Sequence, residues 1–351
     1  MSVPLLYALH SSNLYGTERM ALATAEGLTD NFEPIIMAPP GPALEEAESL
    51  GFETQAFAGT RDFSSKARGV LARHKHIAFM ATGVVQSLAL IAWNMLYRRQ
   101  VEHLHIVHGG ADERLSYGRK RWLNHFDVRF VAVSNFVRER LAVHGVNASH
   151  TSVIENFLTD QRVAAAPRRR PFNGHGVRKV LVVSRIDPIK RIDVLLDALD
   201  SEPRLREVEF RVLGTGWEFD VLKKRAARSH PNIKFEGFCA DVAAAITGAD
   251  LLVHLCPVEP FGLAILEAMA AAVPVLVPDS GGAGNLVEDR VSGFRFKAND
   301  PAHLANTLRQ LMVADSELLN GVVAKADEAL RTRFSATRGI ADYRTLLESE
   351  G

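Results

Sequence analysis

Two carboxylates flank a short loop that runs into an apolar stretch of sequence. Glu259 and Glu267 stand on either side of Pro260-Phe261-Gly262, with seven residues between them. An ionised carboxylate accepts hydrogen bonds from as many as two hydroxyl groups, so the pair suits the hydroxyls of a sugar or a ribose. Taken alone, the motif fits a solvated Glu259 and a locally capping Glu267 equally well, and its context must decide.

The residues after this loop are predicted to form a helix. Residues 262–272 are almost all Ala, Leu, Ile and Met, which favours a helix that begins near Gly262. The backbone amides of Phe261, Gly262, Leu263 and Ala264 would then lack partners within the helix, and the helix dipole favours an anion beside them. The sequence therefore predicts a phosphate-binding helix start next to two acceptors for hydroxyl groups.

Two cations follow a predicted strand at 179–184. Arg185 and Lys190 are separated by a loop that contains Pro188, at the edge where open α/β sheets bind ligands. An arginine and a lysine there would bind a diphosphate and neutralise the charge that grows on a leaving phosphate. The alternative is an exposed surface loop, and the position in the sheet favours the functional interpretation.

Three histidines near 105 raise the question of a metal site. His103 and His105 share one face of a predicted strand, whereas His108 has the opposite parity, and no acidic residue or cysteine completes a tetrahedron. His108 comes before a glycine pair at the carboxyl end of the strand, so we predict that it contacts substrate. Neither Cys239 nor Cys256 has a ligand companion at a metal-binding spacing. The sequence predicts no metal and no cofactor.

Two glycine-containing loops mark close approaches of the backbone. Gly214 and Gly216 follow a predicted strand, but Phe219 stands where a dinucleotide-binding motif has its third glycine, which argues against a nicotinamide enzyme. Gly16 joins the first strand to the first helix and lets a ligand approach the backbone.

Strand-like and helix-like segments alternate along most of the chain. This alternation predicts two α/β domains with parallel sheets, at 1–165 and 177–334, separated by a solvated Arg- and Gly-rich linker. A separate amphipathic helix at 335–351 ends the chain. The uncharged segment 77–97 is long enough to suggest a membrane span. Its polar interruptions favour a buried strand and a helix instead.

The composition is typical of a soluble enzyme in a reducing compartment. The formal net charge is zero, which argues against a nucleic-acid partner, and the two cysteines and the N-terminal sequence favour the cytoplasm. Residues 61–140 nevertheless carry an excess of eight positive charges. This stretch is interpreted as a solvated face, and peripheral contact with a membrane or an anionic acceptor is the alternative.

Taken together, these residues resemble glycosyltransferase family 4, the retaining GT-B enzymes. In the second half the resemblance rests on Arg185 to Lys190, Glu259 and Glu267, Gly281-Gly282 and 291–294. In the first half it rests on the following residues: Gly16, His108, 131–134 and Glu155-Asn156. It covers essentially the whole chain.

The resemblance implies two Rossmann-like domains that face each other across a cleft, and a metal-independent transfer from a nucleoside-diphosphate sugar, with a UDP-sugar favoured, to a hydroxyl acceptor. The final helix would cross back to the first domain. The implied roles are these: Arg185, Lys190 and the amides of Phe261 to Ala264 hold the diphosphate, Glu267 the ribose, Glu259 the donor sugar, and His108 contacts the sugar from the acceptor side. The base would lie near Gly214, Phe238 and Cys239.

The sequence departs from the family pattern at several positions, and two of these positions, Tyr15 and Asn285, are expected near the donor. The sequence therefore does not specify which sugar the donor carries. Two other functions fit the same residues. One is a nucleotide-sugar hydrolase or epimerase that uses the glutamates as acid and base, and the other is a catalytically silent sugar-nucleotide-binding module.

Overall fold

The computed structural model describes residues 3–110, 112–174 and 176–348. The chain divides into two compact units. Unit 1 is Met1–Asn156 together with Ala336–Gly351, and unit 2 is Phe157–Ser335. Residues 157–165 and Ser335 therefore belong to unit 2, although the sequence placed them in the first domain and in the final helix. Residues 1, 2 and 349–351 of the predicted domains lie outside the described part of the chain.

The described strands of unit 1 are Val3–Ala8 (β1), Phe32–Ala38 (β2), Glu53–Ala56 (β3), His76–Ala81 (β4), Gln100–Val107 (β5), Arg129–Ala132 (β6) and Thr151–Val153 (β7). They are parallel and form one sheet in the spatial order β3-β2-β1-β4-β5-β6-β7. The helices are Gly16–Gly27 (α1), Pro42–Ser49 (α2), Gly59–Arg73 (α3), Val84–Tyr97 (α4), Glu113–Ser116 (α5) and Asn135–Val143 (α6), with 3-10 turns at Gly118–His125 and Ala148–His150.

Unit 2 repeats this plan from a second set of parallel strands. The strands are Lys179–Val183 (β8), Glu209–Leu213 (β9), Ile233–Gly237 (β10), Leu251–Val253 (β11), Val275–Pro278 (β12) and Phe294–Phe296 (β13), in the spatial order β10-β9-β8-β11-β12-β13. The helices are Asp160–Ala165 (α7), Ile192–Ser201 (α8), Phe219–Ser229 (α9), Val242–Thr247 (α10), Leu263–Ala270 (α11), Gly281–Leu286 (α12), Pro301–Met312 (α13) and Ser316–Thr332 (α14), with 3-10 turns at Pro188–Lys190 and Pro203–Glu207.

The inner strands of both sheets are buried on both faces. Leu5, Leu6 and Ile77 in unit 1, and Val180 and Leu251 in unit 2, are almost wholly shielded from solvent. Continuous apolar runs of this kind are typical of parallel strands covered by helices on each side. The carboxyl ends of the strands meet at one edge of each sheet, and that edge is where loops can bring polar side chains together.

The Arg-rich segment predicted as a solvated linker packs instead against unit 2. The Arg169 guanidinium lies 2.6 Å from the Asp250 carboxylate and stacks 3.5 Å from the ring centre of Phe172. The Phe172 amide donates to the side chain of Asn320 at 2.8 Å. The prediction of a solvated linker was wrong at Arg169 and Phe172, because their bonds to Asp250 and Asn320 join residues 81 and 148 positions apart, which a local pattern does not reveal.

The last helix, Ala336–Glu348 (α15), packs within unit 1 against α1 and β5. A side chain on Gly27 would meet the end of Ile340, so the absence of a Cβ in α1 lets the two helices approach. Arg344 lies 3.9 Å from Asp30 in the same contact. Within residues 3–110, 112–174 and 176–348, no helix has the length and apolar character needed to cross a membrane.

Two of the three histidines considered for a metal site belong to the core of unit 1. The hydroxyl of Ser87, on α4, lies 3.0 Å from both His103 Nε2 and His105 Nδ1, and all three residues are buried. Burial lowers the pKa of His103 to about 3 and that of His105 well below its usual value. The serine thus gives both neutral rings a hydrogen-bond partner, and no metal is needed to explain them.

We expect Ser87→Ala to lower the free energy of unfolding of unit 1 by about 1–3 kcal/mol, because a ring nitrogen on each of two buried imidazoles loses its partner. Ser49→Ala is the matched control, since the exposed Ser49 hydroxyl only donates to the carbonyl of Glu46. Denaturant unfolding of both variants measures the difference. Equal midpoints for the two variants would show that Ser87 does not support the histidines.

The same histidines predict a pH dependence. Their pKa values in the folded chain lie below the unfolded value of 6.5, so the unfolded chain binds more protons at moderately acidic pH. The stability of unit 1 is therefore fully present above pH 6.5 and falls as the pH drops towards 3.

Candidate functional site

Unit 2 gathers its charged residues at the point where the strand order reverses. β8 and β11 are neighbours in the sheet, and the chain continues from β8 to β9 on one side and from β11 to β12 on the other, which opens a crevice at the carboxyl edge. The loop after β8 carries Arg185 and Lys190, and the loop after β11 carries Glu259. The Gly282 amide, at the start of α12, donates to the Glu259 carbonyl at 2.6 Å and holds that loop against the sheet.

The centre of this site is an ion pair between Lys190 and Glu259. Lys190 Nζ lies 2.5 Å from Glu259 Oε2, and the two side chains are only 17% and 15% exposed. Burial opposes the charged form of Lys190, but the carboxylate outweighs it and raises the pKa of the ammonium. Burial also raises the pKa of the Glu259 carboxyl, whereas His254 and Lys190 lower it by more, so that pKa lies well below its usual range. Glu259 is therefore largely buried and paired, and the alternative interpretation of a solvated Glu259 was wrong.

His254 and Cys256 complete this cluster, and sequence spacing did not reveal them. His254 Nε2 lies 3.3 Å from Glu259 Oε2, although outside hydrogen-bonding geometry, and the ring is nearly buried. Ligand atoms of His254, Cys256 and Glu259 all lie within 4.8 Å of one another, so Cys256 does have companions that could hold a metal. The Lys190 ammonium already supplies a cation beside the shared carboxylate. Burial raises the pKa of the Cys256 thiol to about 11, which disfavours the thiolate that a metal requires.

Arg185 lies on the same loop as Lys190 but does not take part in the ion pair. Its guanidinium lies 3.1 Å from the Asp187 carboxylate, and its side chain is 65% exposed, whereas that of Asp187 is 12% exposed. Because Arg185 is exposed and paired at only one edge of its fork, it can turn towards a ligand at little cost.

The helix start predicted at Gly262 is present. Gly262 precedes the first residue of α11, Leu263, and adopts φ +100°, a left-handed conformation that glycine adopts without strain. The Phe261 side chain is buried and meets the ring of Phe334 edge-on, while Ala264 lies in the first turn. Glu267 lies on the same helix with a partly exposed side chain, 3.8 Å from Arg162 of α7. Arg162 was also missed by sequence reasoning.

The residues assigned to the base follow neighbouring strands at the same edge. Gly214 directly follows β9 with φ +127°, and a Cβ there would lie 1.8 Å from the Ser184 carbonyl oxygen. Glycine is thus required for the approach of the β8 and β9 loops. Phe238 and Cys239 follow β10; Phe238 is 82% exposed and Cys239 is half-buried.

Unit 1 has a cavity of about 610 Å³ at the corresponding edge of its sheet. His10, Thr82 and His108, which follow β1, β4 and β5, line it. His10 Nδ1 lies 2.8 Å from the Thr82 hydroxyl. His108 Nε2 is shielded from solvent and has no hydrogen-bond partner within the described ranges, and burial lowers the pKa of its ring to about 3.

Gly16 is the first residue of α1, and the next residue, Thr17, lines this cavity. A buried lysine, Lys120, lines it as well. Thr82 was missed as a candidate site residue because it belongs to no recognisable motif. Lys120 was considered only as part of the basic stretch 61–140, which was interpreted as a solvated face.

The sequence matches two family models, one for each half of the chain. The model described as Glycosyl transferases group 1 matches residues 167–328, and the model described as Glycosyltransferase Family 4 matches residues 15–162. The chain belongs to glycosyltransferase family 4. The resemblance inferred from the motifs is confirmed.

Two named proteins illustrate how far the sequence similarity extends. The N-acetyl-alpha-D-glucosaminyl L-malate synthase of Bacillus anthracis is 26% identical over 48% of this chain and 45% of that protein. The phosphatidyl-myo-inositol mannosyltransferase of Mycobacterium leprae is 32% identical over 57% of this chain and 54% of that protein. The chain thus matches about half of the length of these relatives.

Solved structures of GT-B proteins share the fold over nearly the whole chain. Anabaena HepE, solved in complex with UDP-glucose, superposes with a TM-score of 0.79 at 21% identity, covering 97% of this family-4 chain and 99% of that one. The GT-B fold predicted from the sequence is confirmed.

We expect Glu259→Gln to lower the free energy of unfolding of unit 2 by about 3 kcal/mol at pH 7, because it leaves a buried ammonium without its counter-ion. The pKa of Glu259 is depressed below the unfolded value of 4.5. Its contribution is therefore full above pH 4.5 and declines as the pH falls towards the folded pKa, so the difference between the two proteins should be smaller at pH 4 than at pH 7.

Glu236→Gln is the matched control for this variant. It removes a carboxylate from the exposed pair with Arg211, in which both side chains are about one-third exposed, and it should cost no more than about 1 kcal/mol. Denaturant titrations at pH 7 and pH 4 measure both variants. An equal loss in the two variants would contradict the importance of burial.

Proposed function

We propose that this protein is a retaining glycosyltransferase that moves a sugar from a UDP-sugar to a hydroxyl acceptor without a metal ion. The observation that carries the proposal is the Lys190–Glu259 ion pair at the switch point of the unit 2 sheet. A cation suited to phosphate and an anion suited to hydroxyls are held side by side there. Membership of family 4 supports the transfer reaction and the retention of configuration.

Donor binding would exchange the partners of this ion pair. Lys190 would turn from Glu259 to the diphosphate, and Arg185 would bring its fork to the same group from the exposed side of the loop. The Glu259 carboxylate would then accept from hydroxyls of the donor sugar. Each of the two side chains would lose one favourable partner and gain another, so neither Lys190 nor Glu259 would be left without a partner.

The remaining donor contacts would come from α11 and from the loops beside β8. The amides of Phe261 to Ala264 at the helix start would bind a phosphate oxygen, since the first turn has unpaired donors. Glu267 would accept from the ribose hydroxyls. Gly214, Phe238 and Cys239 would border the base. UDP is favoured because HepE, which shares the fold, has been solved with UDP and with UDP-glucose.

The reaction breaks the bond between the anomeric carbon and the diphosphate oxygen and forms one to the acceptor oxygen on the same face of the sugar. The electron pair of the broken bond stays on the diphosphate, so negative charge grows there, and the proton of the acceptor hydroxyl passes to the leaving diphosphate oxygen. Lys190 and Arg185 would stabilise that charge, the task that a divalent cation performs in metal-dependent transfer.

In unit 1, we assign His108 to contact with the sugar or with the acceptor hydroxyl. Its shielded Nε2 has no partner within the described ranges and so is free for a ligand. Gly16 would allow a ligand to approach the start of α1. A cytoplasmic location and contact of residues 61–140 with a membrane stay predictions.

The proposal is tested by thermal shift against UDP, GDP, ADP and dTDP sugars, followed by transfer assays with the donor that binds. A ligand at about 100 times its dissociation constant adds about 2.7 kcal/mol of stability. We expect the largest shift with a UDP-sugar, in the presence of a chelator, and a product whose anomeric configuration matches the donor by NMR. Full-rate release of free sugar without acceptor would instead identify a hydrolase, and binding without transfer to any acceptor a silent module.

We expect Lys190→Ala to lower kcat by about 10² to 10³ while the dissociation constant of the donor rises less than tenfold, because charge on the phosphate peaks in the transition state. Lys179→Ala is the control, since the exposed Lys179 lies at the opposite end of β8. Initial rates and donor titration give the two constants. Unchanged turnover in Lys190→Ala would remove Lys190 from the mechanism.

A further inference from the structure

Unit 1 contains a buried lysine for which the described part of the chain supplies no counter-ion. Lys120 lies in the 3-10 turn Gly118–His125 and is only 9% exposed. Its ammonium donates to the Leu115 carbonyl at 3.3 Å. In the described part of the chain, no carboxylate forms an ion pair with it. Lysine is rarely buried unless it is paired, so this arrangement calls for an explanation.

The surroundings of Lys120 make its charge still less favourable. Burial, with a further contribution from Arg119, lowers the pKa of Lys120 to about 8. Burial also lowers the pKa values of His10 and His105, and the Lys120 charge adds to that effect. At neutral pH the ammonium is nevertheless mostly protonated. A desolvated cation among other basic groups destabilises the folded chain, and an anion placed beside it would remove that cost.

The space for such an anion is present. The 610 Å³ cavity is lined by Lys120 and Arg119 together with His10, Thr82 and His108. Trp122, 53% exposed, also lines it. The cavity therefore combines donors suited to an anionic group with imidazole and hydroxyl groups suited to a sugar-like hydroxyl. Among the described residues that line it there is no aspartate or glutamate that would repel an anion.

We propose that unit 1 takes a hydroxyl acceptor which also carries an anionic group, a phosphate or a carboxylate, bound by Lys120 and Arg119. The assignment of this ligand as the acceptor rests on the proposed function, but the anion site itself does not. The acceptor hydroxyl would lie towards His108, at the ends of β4 and β5. The anionic group could belong to a small soluble molecule or to a lipid headgroup, since both present the same oxygens.

The binding test uses inorganic phosphate and the full-length chain saturated with UDP, so that phosphate sites on unit 2 are already filled. We expect Lys120→Met to weaken phosphate binding at least tenfold, as measured by calorimetry. Lys75→Met is the matched control, because the exposed Lys75 precedes β4 at the opposite edge of the sheet, and its affinity should stay within twofold of the wild type. Equal phosphate affinity in the wild type and Lys120→Met would overturn the proposal.

The stability of the same variant gives a second, independent measurement. Removing an uncompensated buried charge should raise the melting temperature of ligand-free Lys120→Met by several degrees, as expected for a residue kept for binding rather than for folding. An unchanged or lower melting temperature would contradict this explanation of Lys120. Lys120→Gln serves for the binding test if the Met variant does not fold.

A transfer assay with paired acceptors separates the possible sources of the anion. Glycerol 3-phosphate is compared with glycerol, and vesicles of phosphatidylglycerol with vesicles of phosphatidylcholine. We expect the anionic member of one pair to react at least tenfold faster than its neutral partner, and we expect Lys120→Met to lose that advantage. A rate advantage in the glycerol pair would indicate a soluble acceptor, and one in the vesicle pair a lipid acceptor. Equal rates within both pairs, for a protein that binds UDP and transfers sugar, would contradict the anionic acceptor. A wild-type chain that binds phosphate but not UDP would contradict the proposed function and leave the anion site standing.

Discussion

The structure of unit 2 depends on one pair of opposite charges held largely out of water. Neither Lys190 nor Glu259 is stable alone in that position, because each charge loses hydration that the other largely replaces. The loops after β8 and β11 therefore hold each other in place. The same pairing keeps a phosphate-binding group and a hydroxyl-binding group adjacent and charged before any ligand arrives, which is the preorganisation that group transfer requires.

The two units share the order of their strands but differ in the charged residues at the carboxyl edge of the sheet. In unit 2 the cation and the anion at the carboxyl edge satisfy each other. In unit 1 the corresponding edge holds Lys120, which no carboxylate of the described residues pairs with, beside a cavity of substrate size. The first arrangement suits a ligand that brings both phosphate and hydroxyl groups. The second suits a ligand that brings an anion of its own.

Local patterns were sufficient at two places where neighbours along the chain decide the structure. The start of α11 followed from the Ala- and Leu-rich composition after Gly262, and the uncharged segment 77–97 divided into β4 and α4 at its polar residues. β3, Glu53–Ala56, escaped notice because its polar, half-exposed residues lack an apolar run. Its place at the edge of the sheet explains that composition.

Contacts between distant residues could not be predicted in this way. Lys190 and Glu259 are 69 positions apart, and their pairing depends on β8 and β11 being neighbours in the sheet. The alternation of buried positions could have placed His254 and Cys256 on one face, but not beside Glu259. Ser87 likewise joins His103 and His105 only after α4 has packed on β5.

The most direct test of the account is a crystal structure of the wild-type protein with an intact UDP-sugar. The account predicts that Lys190 Nζ leaves Glu259 and lies within about 3 Å of a diphosphate oxygen, while the Glu259 carboxylate accepts from a hydroxyl of the donor sugar. A bound donor with Lys190 and Glu259 still paired to each other, and neither in contact with it, would contradict the central claim.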